Sequence, residues 1–244
     1  MSATTASAGT HLARRRTIVG ISLAVLLVAA TLLSAVIGQF GVTAQEVVTS
    51  LLRHAWIPNP WFENPWPEID PTADAALWVI RFPRIVMAMA VGAALAVAGA
   101  IMQAVFGNPL AEPGVVGVSS GAALGAAFAI VTGMLALGEW TIAVLAFAGG
   151  LGATLLVYGV SRANGRTEVV TLLLTGIAVN AFGGAGLAFL LFVGGDSSRE
   201  QIVFWQLGSL SGSLWRESVL VLAVAAVGTV IAILLGRRYD ILSL

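Results

Sequence analysis

Six stretches of this chain run without a charged side chain for about the length needed to cross a lipid bilayer. They cover residues 17–38, 85–111, 113–138, 141–161, 169–195 and 218–236. A hydrocarbon core about 30 Å thick takes about 20 apolar residues of helix. Backbone N–H and C=O groups in lipid must also be satisfied within the protein, and a helix does this within one segment. The expectation is an all-α, polytopic membrane helix bundle. Its six transmembrane helices fall near residues 17–38, 77–106, 118–137, 140–161, 169–193 and 215–236, after a tail at 1–16. Composition agrees: 58% of residues are hydrophobic and 10% charged, whereas a soluble domain carries about 25% charged residues.

Arg14, Arg15 and Arg16 precede the first stretch, an arrangement that also opens secretory signals. The apolar run is too long for a signal, however, and Ser34, Ala35 and Val36 make a poor cleavage site, so the stretch reads as a span. A formal net charge of zero gives no basis for nucleic-acid binding. Cysteine is absent, which excludes disulfides, thiolate nucleophiles and Cys-ligated metals. All 12 cations are arginine. A P-loop needs a lysine on the phosphates, so ATP hydrolysis would have to come from another chain. No acid/base pair or metal cluster stands out, and neither His11 nor His54 has a ligand partner nearby in sequence. The chain therefore reads as neither an enzyme nor a cofactor carrier.

With six spans both termini share one side. Arg14, Arg15, Arg16, Arg162, Arg166, Arg237 and Arg238 fall on that side, and Arg53, Arg81, Arg84, Arg199 and Arg216 on the other. The excess sits directly at span ends, which places both termini in the cytoplasm. The loop 39–76 is then outside. It interleaves Pro58, Pro60, Pro65, Pro67 and Pro71 with Trp56, Trp61, Phe62 and Trp66, which reads as an interfacial aromatic belt. In the second outer loop, 194–212, residues 198–205 read as a short amphipathic surface helix.

Small residues recur every four positions in three spans: Ala88, Gly92, Ala96, Ala100 and Ala104; Gly117, Gly121, Gly125, Ala129 and Gly133; and Gly176, Gly184 and Ala188 around Asn180. Such ridges let helix backbones approach closely in lipid, so a compact bundle is expected. That bundle alone would suit a channel or an intramembrane enzyme as well as a transporter.

Arg81, Phe82, Pro83 and Arg84 are followed by Val91, Gly92, Ala93, Ala94, Leu95 and Ala96, then by Gly99 and Gln103. Next come Asn108, Pro109, Leu110, Ala111, Glu112, Pro113 and Gly114, and then Gly117, Ser119, Ser120 and Gly121. This order, with residues 172–180 and 204–210, resembles the FecCD/BtuC-like permease family of binding-protein-dependent ABC importers, which carry iron-siderophores, haem and vitamin B12. The resemblance covers nearly the whole chain from the first span onward. It implies the first part of a roughly ten-span permease fold, ending after the sixth span in the lead-in to a cytoplasmic coupling helix. It further implies a homodimer or paired permease, cytoplasmic ABC ATPase subunits, an extracytoplasmic substrate-binding protein and a bacterial inner-membrane location.

On the same resemblance, Arg81 and Arg84 would meet acidic residues of the binding protein, a role suited to the bidentate guanidinium fork. Asn108, Pro109, Glu112, Pro113 and Gly114 would form an ATPase- and gate-side loop. Thr175, Asn180, Gly184 and Gln103 are pathway candidates, with interhelical hydrogen bonding as the plainer role for the amides. The expected cargo is an iron complex, siderophore or haem, with vitamin B12 as the alternative. An ion-coupled transporter would want an ionisable residue inside a span. The six stretches contain none, and Glu112 and Glu139 fall at their boundaries. An intramembrane enzyme would want His or Asp there, and a non-functional permease fragment is the remaining alternative.

The orientation is open to test in this cysteine-free chain. A cysteine placed at Asn59 should react with an impermeant thiol reagent in intact cells, whereas cysteines at Ser161 or Gly165 should not. The reverse pattern would invert the topology.

Overall fold

The computed structural model describes residues 3–55, 68–163 and 166–242, with side chains described for 14–55, 68–162 and 168–236. The Trp- and Pro-rich stretch 56–67, and with it most of the expected aromatic belt, lies outside the described residues. Nine α-helices follow in order among them: α1 (Ala3–Val36), α2 (Ala44–His54), α3 (Pro71–Ala75), α4 (Phe82–Phe106), α5 (Val118–Val131), α6 (Thr141–Val160), α7 (Val169–Val193), α8 (Asp196–Leu207) and α9 (Trp215–Leu242). The all-α membrane fold is as expected. Among the described residues, five helical segments are long and apolar enough to cross a membrane. The expected third span, 118–137, is instead a 14-residue helix, about 21 Å long at 1.5 Å per residue. It stops because Gly133 adopts a left-handed φ of 69°, the usual glycine termination of a helix; a 3-10 turn, Met134–Leu137, follows. Backbone helix continues through the expected tail from Ala3, and through the expected cytoplasmic exit as far as Leu242. A two-residue antiparallel ribbon pairs Arg162 with Thr167 and Ala163 with Arg166.

The chain divides into two compact units. One comprises residues 1–90 and 211–222, the other 91–210 and 223–244. In the first, Ala35, Val42, Val47, Ile69, Leu77 and Phe82 bury a core between α1, α2, α3 and the start of α4. Thr43 starts α2 with a capping box: its hydroxyl accepts from the Glu46 N–H, and Glu46 accepts from the Thr43 backbone. The Thr43 backbone N–H, and after it the Thr43 hydroxyl, donate to the Glu46 carboxylate and hold it below its ordinary value. Between α3 and α4 the backbone widens into a π-helical turn, Ala76–Arg81, in which the Phe82 N–H reaches back to Leu77 O. Pro83 accounts for the position of this turn. Proline in a helix interior cannot donate, and its ring clashes with the carbonyl four residues back; a π-turn immediately before it relieves that clash.

In the second unit α5 packs against α6 and α7, with α8 across its end, where Ile202 is buried with Ala127 and Ile130. Residues 198–205 are helical as expected. Glycine makes the α5–α6 contact possible. A Cβ at Gly121 would stand 2.4 Å from Gly149 O, one at Gly149 2.2 Å from Gly121 O, and one at Gly125 2.1 Å from Leu145 O. Gly121 and Gly125 of the α5 ridge therefore pack as the sequence spacing suggests, whereas Gly133 lies past the helix end with open space around it. The α4 ridge does not pack in this way: Gly92 and Ala96 are exposed, and a Cβ at Gly92 meets nothing within 4 Å. On α7, Gly176 abuts Val115 O, but Gly184 is open and Gly183 packs on Ser120 instead. At 3.6 residues per turn an every-four row rotates about 40° per step, so the buried face moves from Gly176 to Gly183.

Gly125→Ala should therefore destabilise the chain by about 1–3 kcal/mol, the usual cost of overpacking. Gly92→Ala should be neutral or slightly stabilising, because alanine is the better helix former. Unfolding of the purified protein in detergent compares them, and equal stabilities would refute the packing assignment.

Candidate functional site

The expected site residues fall into two constellations, one in each unit. In the first unit the two arginines of the R-x-P-R segment take different environments. Arg84 is exposed, with a long 3.5 Å contact from Nη2 to the Ser211 hydroxyl. Arg81 is 8% exposed. Its Nη1 donates to Ala35 O and to Val36 O, the latter at 3.0 Å, and its Nη2 donates to Phe40 O. Both line a cavity of about 380 Å³ with Ser34, Gln39 and Phe40. Of the two arginines expected to face a partner, Arg84 is exposed and Arg81 is buried. Arg81 is turned inward, because the π-turn places it on the α1 side.

The same unit contains a polar cluster that the sequence did not reveal. Ser50 is fully buried; its hydroxyl donates to Asp74 Oδ1 and accepts from Trp78 Nε1 at 2.8 Å. His54 Nδ1 lies 3.0 Å from Ser50 O, and Nε2 lies 3.8 Å from Asp74 Oδ2. Its ring is 4.3 Å from that of Trp78, whose own carbonyl accepts from Trp215 Nε1 at 2.7 Å. His54 thus has partners after all: Ser50 on its own helix, and Asp74 and Trp78 from 20 and 24 positions along the chain. The cluster joins α2, α3, the π-turn and α9.

The second constellation centres on Asn180. Its Oδ1 accepts from Ser120 Oγ at 2.7 Å, and its Nδ2 donates to Gly114 O at 3.0 Å. The amide therefore ties α7 to the start of α5 and to the loop ahead of it. In this structure it bonds across helices, as the plainer reading of the amides expected. In that loop Asn108 Oδ1 accepts from the Leu110 N–H at 2.9 Å, an Asx turn that ends α4 just before Pro109. Pro113 opens a 3-10 turn, Pro113–Val116, and Gly117 leaves it with φ 81°. Glu112 is exposed.

Thr175 lies elsewhere, on the wall of an apolar groove of about 1010 Å³ between α5, α6 and α7. Gly121, Gly125 and Gly149 are part of its lining, with Phe182 and Phe189. Thr175 is the single polar side chain in that lining. Gly184 and Gln103 belong to neither feature; both are exposed. Among the described residues no group of three or more His, Asp or Glu is arranged to hold a metal.

Residues 26–244 match the FecCD transport family. The chain belongs to that family. It is 36% identical over 244 aligned residues to the cobalamin import system permease protein BtuC of Halobacterium salinarum, covering 89% of this chain and 65% of the relative. It is 38% identical over 157 residues to the vitamin B12 import system permease protein BtuC of Escherichia coli K12, covering 64% of this chain and 48% of the relative. A solved structure, described as an inward-facing conformation of a transporter assigned to the metal-chelate ABC type, superposes with a TM-score of 0.74 at 27% identity. That match covers 92% of this chain and 64% of the other. The chain thus spans about two thirds or less of the length of these relatives.

The Asn180 bonds predict a specific stability effect. Asn180→Ala should cost about 0.6–1.7 kcal/mol, the range from average to largest for interhelical hydrogen bonds in a membrane protein. Ser120→Ala should cost a similar amount, and the double variant less than the sum. Strict additivity in detergent unfolding would show that the two side chains do not act together.

Proposed function

We propose that this chain is the membrane-spanning permease subunit of an ABC importer for a bulky metal chelate. The observation that carries this reading is the family match across residues 26–244. Under it, two permease subunits, identical or paired, enclose the path in the cell's inner membrane. A substrate-binding protein delivers cargo outside, and two cytoplasmic ATPases drive alternating access. The absence of lysine, and with it of a P-loop, from the chain supports a division of labour in which ATP is hydrolysed elsewhere. The permease itself makes no covalent change to its cargo.

Among metal chelates, the similarity to two cobalamin permeases favours a cobalamin-type corrinoid. An iron complex, whether siderophore or haem, is the second reading; the metal-chelate assignment of the structural neighbour accommodates both. Uptake of labelled cobalamin and of a ferric siderophore, in cells carrying the complete importer that contains this chain, separates them. Transport of neither would overturn the metal-chelate reading.

Docking of the binding protein falls to Arg84 in this proposal, because its guanidinium is exposed and that of Arg81 is not. Reversing the charge sets like charges against an acidic partner, which costs several kcal/mol in a close interface. Arg84→Glu in the complete importer should therefore raise the half-saturating binding-protein concentration for ATPase stimulation by more than about tenfold. An unchanged stimulation curve would remove Arg84 from the interface.

A further inference from the structure

The R-x-P-R segment holds two cations three residues apart, and they do different things. The last carbonyls of α1 have no intrahelical donors, as at any helix C-terminus. Leu33 O accepts from the Ile37 N–H at 2.8 Å. Ala35 O and Val36 O, the last two of the helix, both accept from Arg81 Nη1, and Phe40 O in the following connection accepts from Nη2. One planar fork thus satisfies acceptors on both sides of the turn that leaves α1. A guanidinium can do this because its donors are fixed in one plane, whereas an ammonium is a point donor. Its positive charge also lies at the negative end of the α1 dipole.

Gly38 lies against this guanidinium. A Cβ at that position would stand 2.7 Å from Nη2 and 3.0 Å from Cζ of Arg81. The connection has therefore closed around the side chain, and Val42, just beyond it, is 4% exposed in the core with Ala35 and Leu77. On the Arg81 side the π-turn supplies the direction, and Pro83 fixes the place of that turn.

We infer that Arg81 is a positioning residue: it latches the end of α1 and the connection 37–42 to the base of α4, leaving Arg84 as the outward member of the pair. The latch acts within the chain and requires no partner. A surface arginine of the same motif would have its fork free, and a neighbouring methyl at position 38 would not disturb it.

The test uses the cysteine-free chain in native membrane vesicles, with Val42→Cys as the reporter and a water-soluble thiol reagent as the probe. Buried as Val42 is, labelling should be slow. Arg81→Gln should accelerate it by about tenfold or more, the factor expected when a charge-assisted hydrogen bond to a carbonyl is lost. Gly38→Ala should do the same, although it leaves every charge in place, because its methyl displaces the guanidinium. Arg81→Lys should fall between, and Arg84→Gln should leave the rate unchanged. Slow labelling in both Arg81→Gln and Gly38→Ala, or equal acceleration by Arg84→Gln, would overturn the latch. If Arg81→Gln fails to accumulate in membranes, Gly38→Ala and Arg81→Lys decide the question: slow labelling in both rejects the latch, and acceleration supports it.

Discussion

A backbone carbonyl at the end of a helix has no partner of its own, and lipid supplies none. Much of the structure follows from how this chain meets that demand. Arg81 donates to the last carbonyls of α1, and Arg199 does the same for α7: its Nε reaches Leu191 O at 2.8 Å, its Nη2 reaches Phe192 O, and Asp196 holds Nη1 at 3.0 Å. Asn180 supplies a donor to Gly114 O within the irregular loop that separates α4 from α5. Each of these side chains satisfies the backbone and in the same step fixes one element against another. Satisfying the chain's own polar groups and determining its tertiary arrangement are therefore largely one task.

The consequence for interpreting polar residues in such a protein is direct. A cation or an amide near an apolar span invites a functional role, and the family resemblance strengthens the invitation. Here the geometry divides the candidates. Arg84 and Thr175 face space, the first at an exposed position beside a cavity and the second on an apolar groove. Arg81 and Asn180 face backbone. A defect caused by substituting the second kind would report on architecture before it reported on partners or cargo.

How far the sequence alone could have anticipated this depends on the range of each interaction. Gly121 and Gly125 were legible because a four-residue spacing on one helix is local information. It misplaced Gly184 because a short-range spacing rule ignores the rotation that accumulates along a helix. It set the end of the third span six residues too far on, since Gly133 looks like one more ridge residue until its φ is known. The acceptors of Arg81 lie 41–46 residues earlier, and Ser50 meets Asp74 and Trp78 over 24 and 28 residues. Nothing in the local pattern encodes those pairings. Pro83 was the available sign of a helix irregularity, and the irregularity is what turned Arg81 inward.

The glycine contact between α5 and α6 also limits how those helices can move. Ordinary helix pairs adjust by small changes of rotamer, but Gly121 and Gly149 meet backbone to backbone and have no rotamers to change. A slide of α5 along α6 by less than a turn would carry a Cβ of a neighbouring alanine or leucine into a carbonyl. The next setting that again places glycine opposite glycine lies about one turn away, roughly 5.4 Å. The pair is therefore a mechanical detent: under load it holds as one rigid body or jumps a full notch, and a gradual shear between the two helices is not open to it.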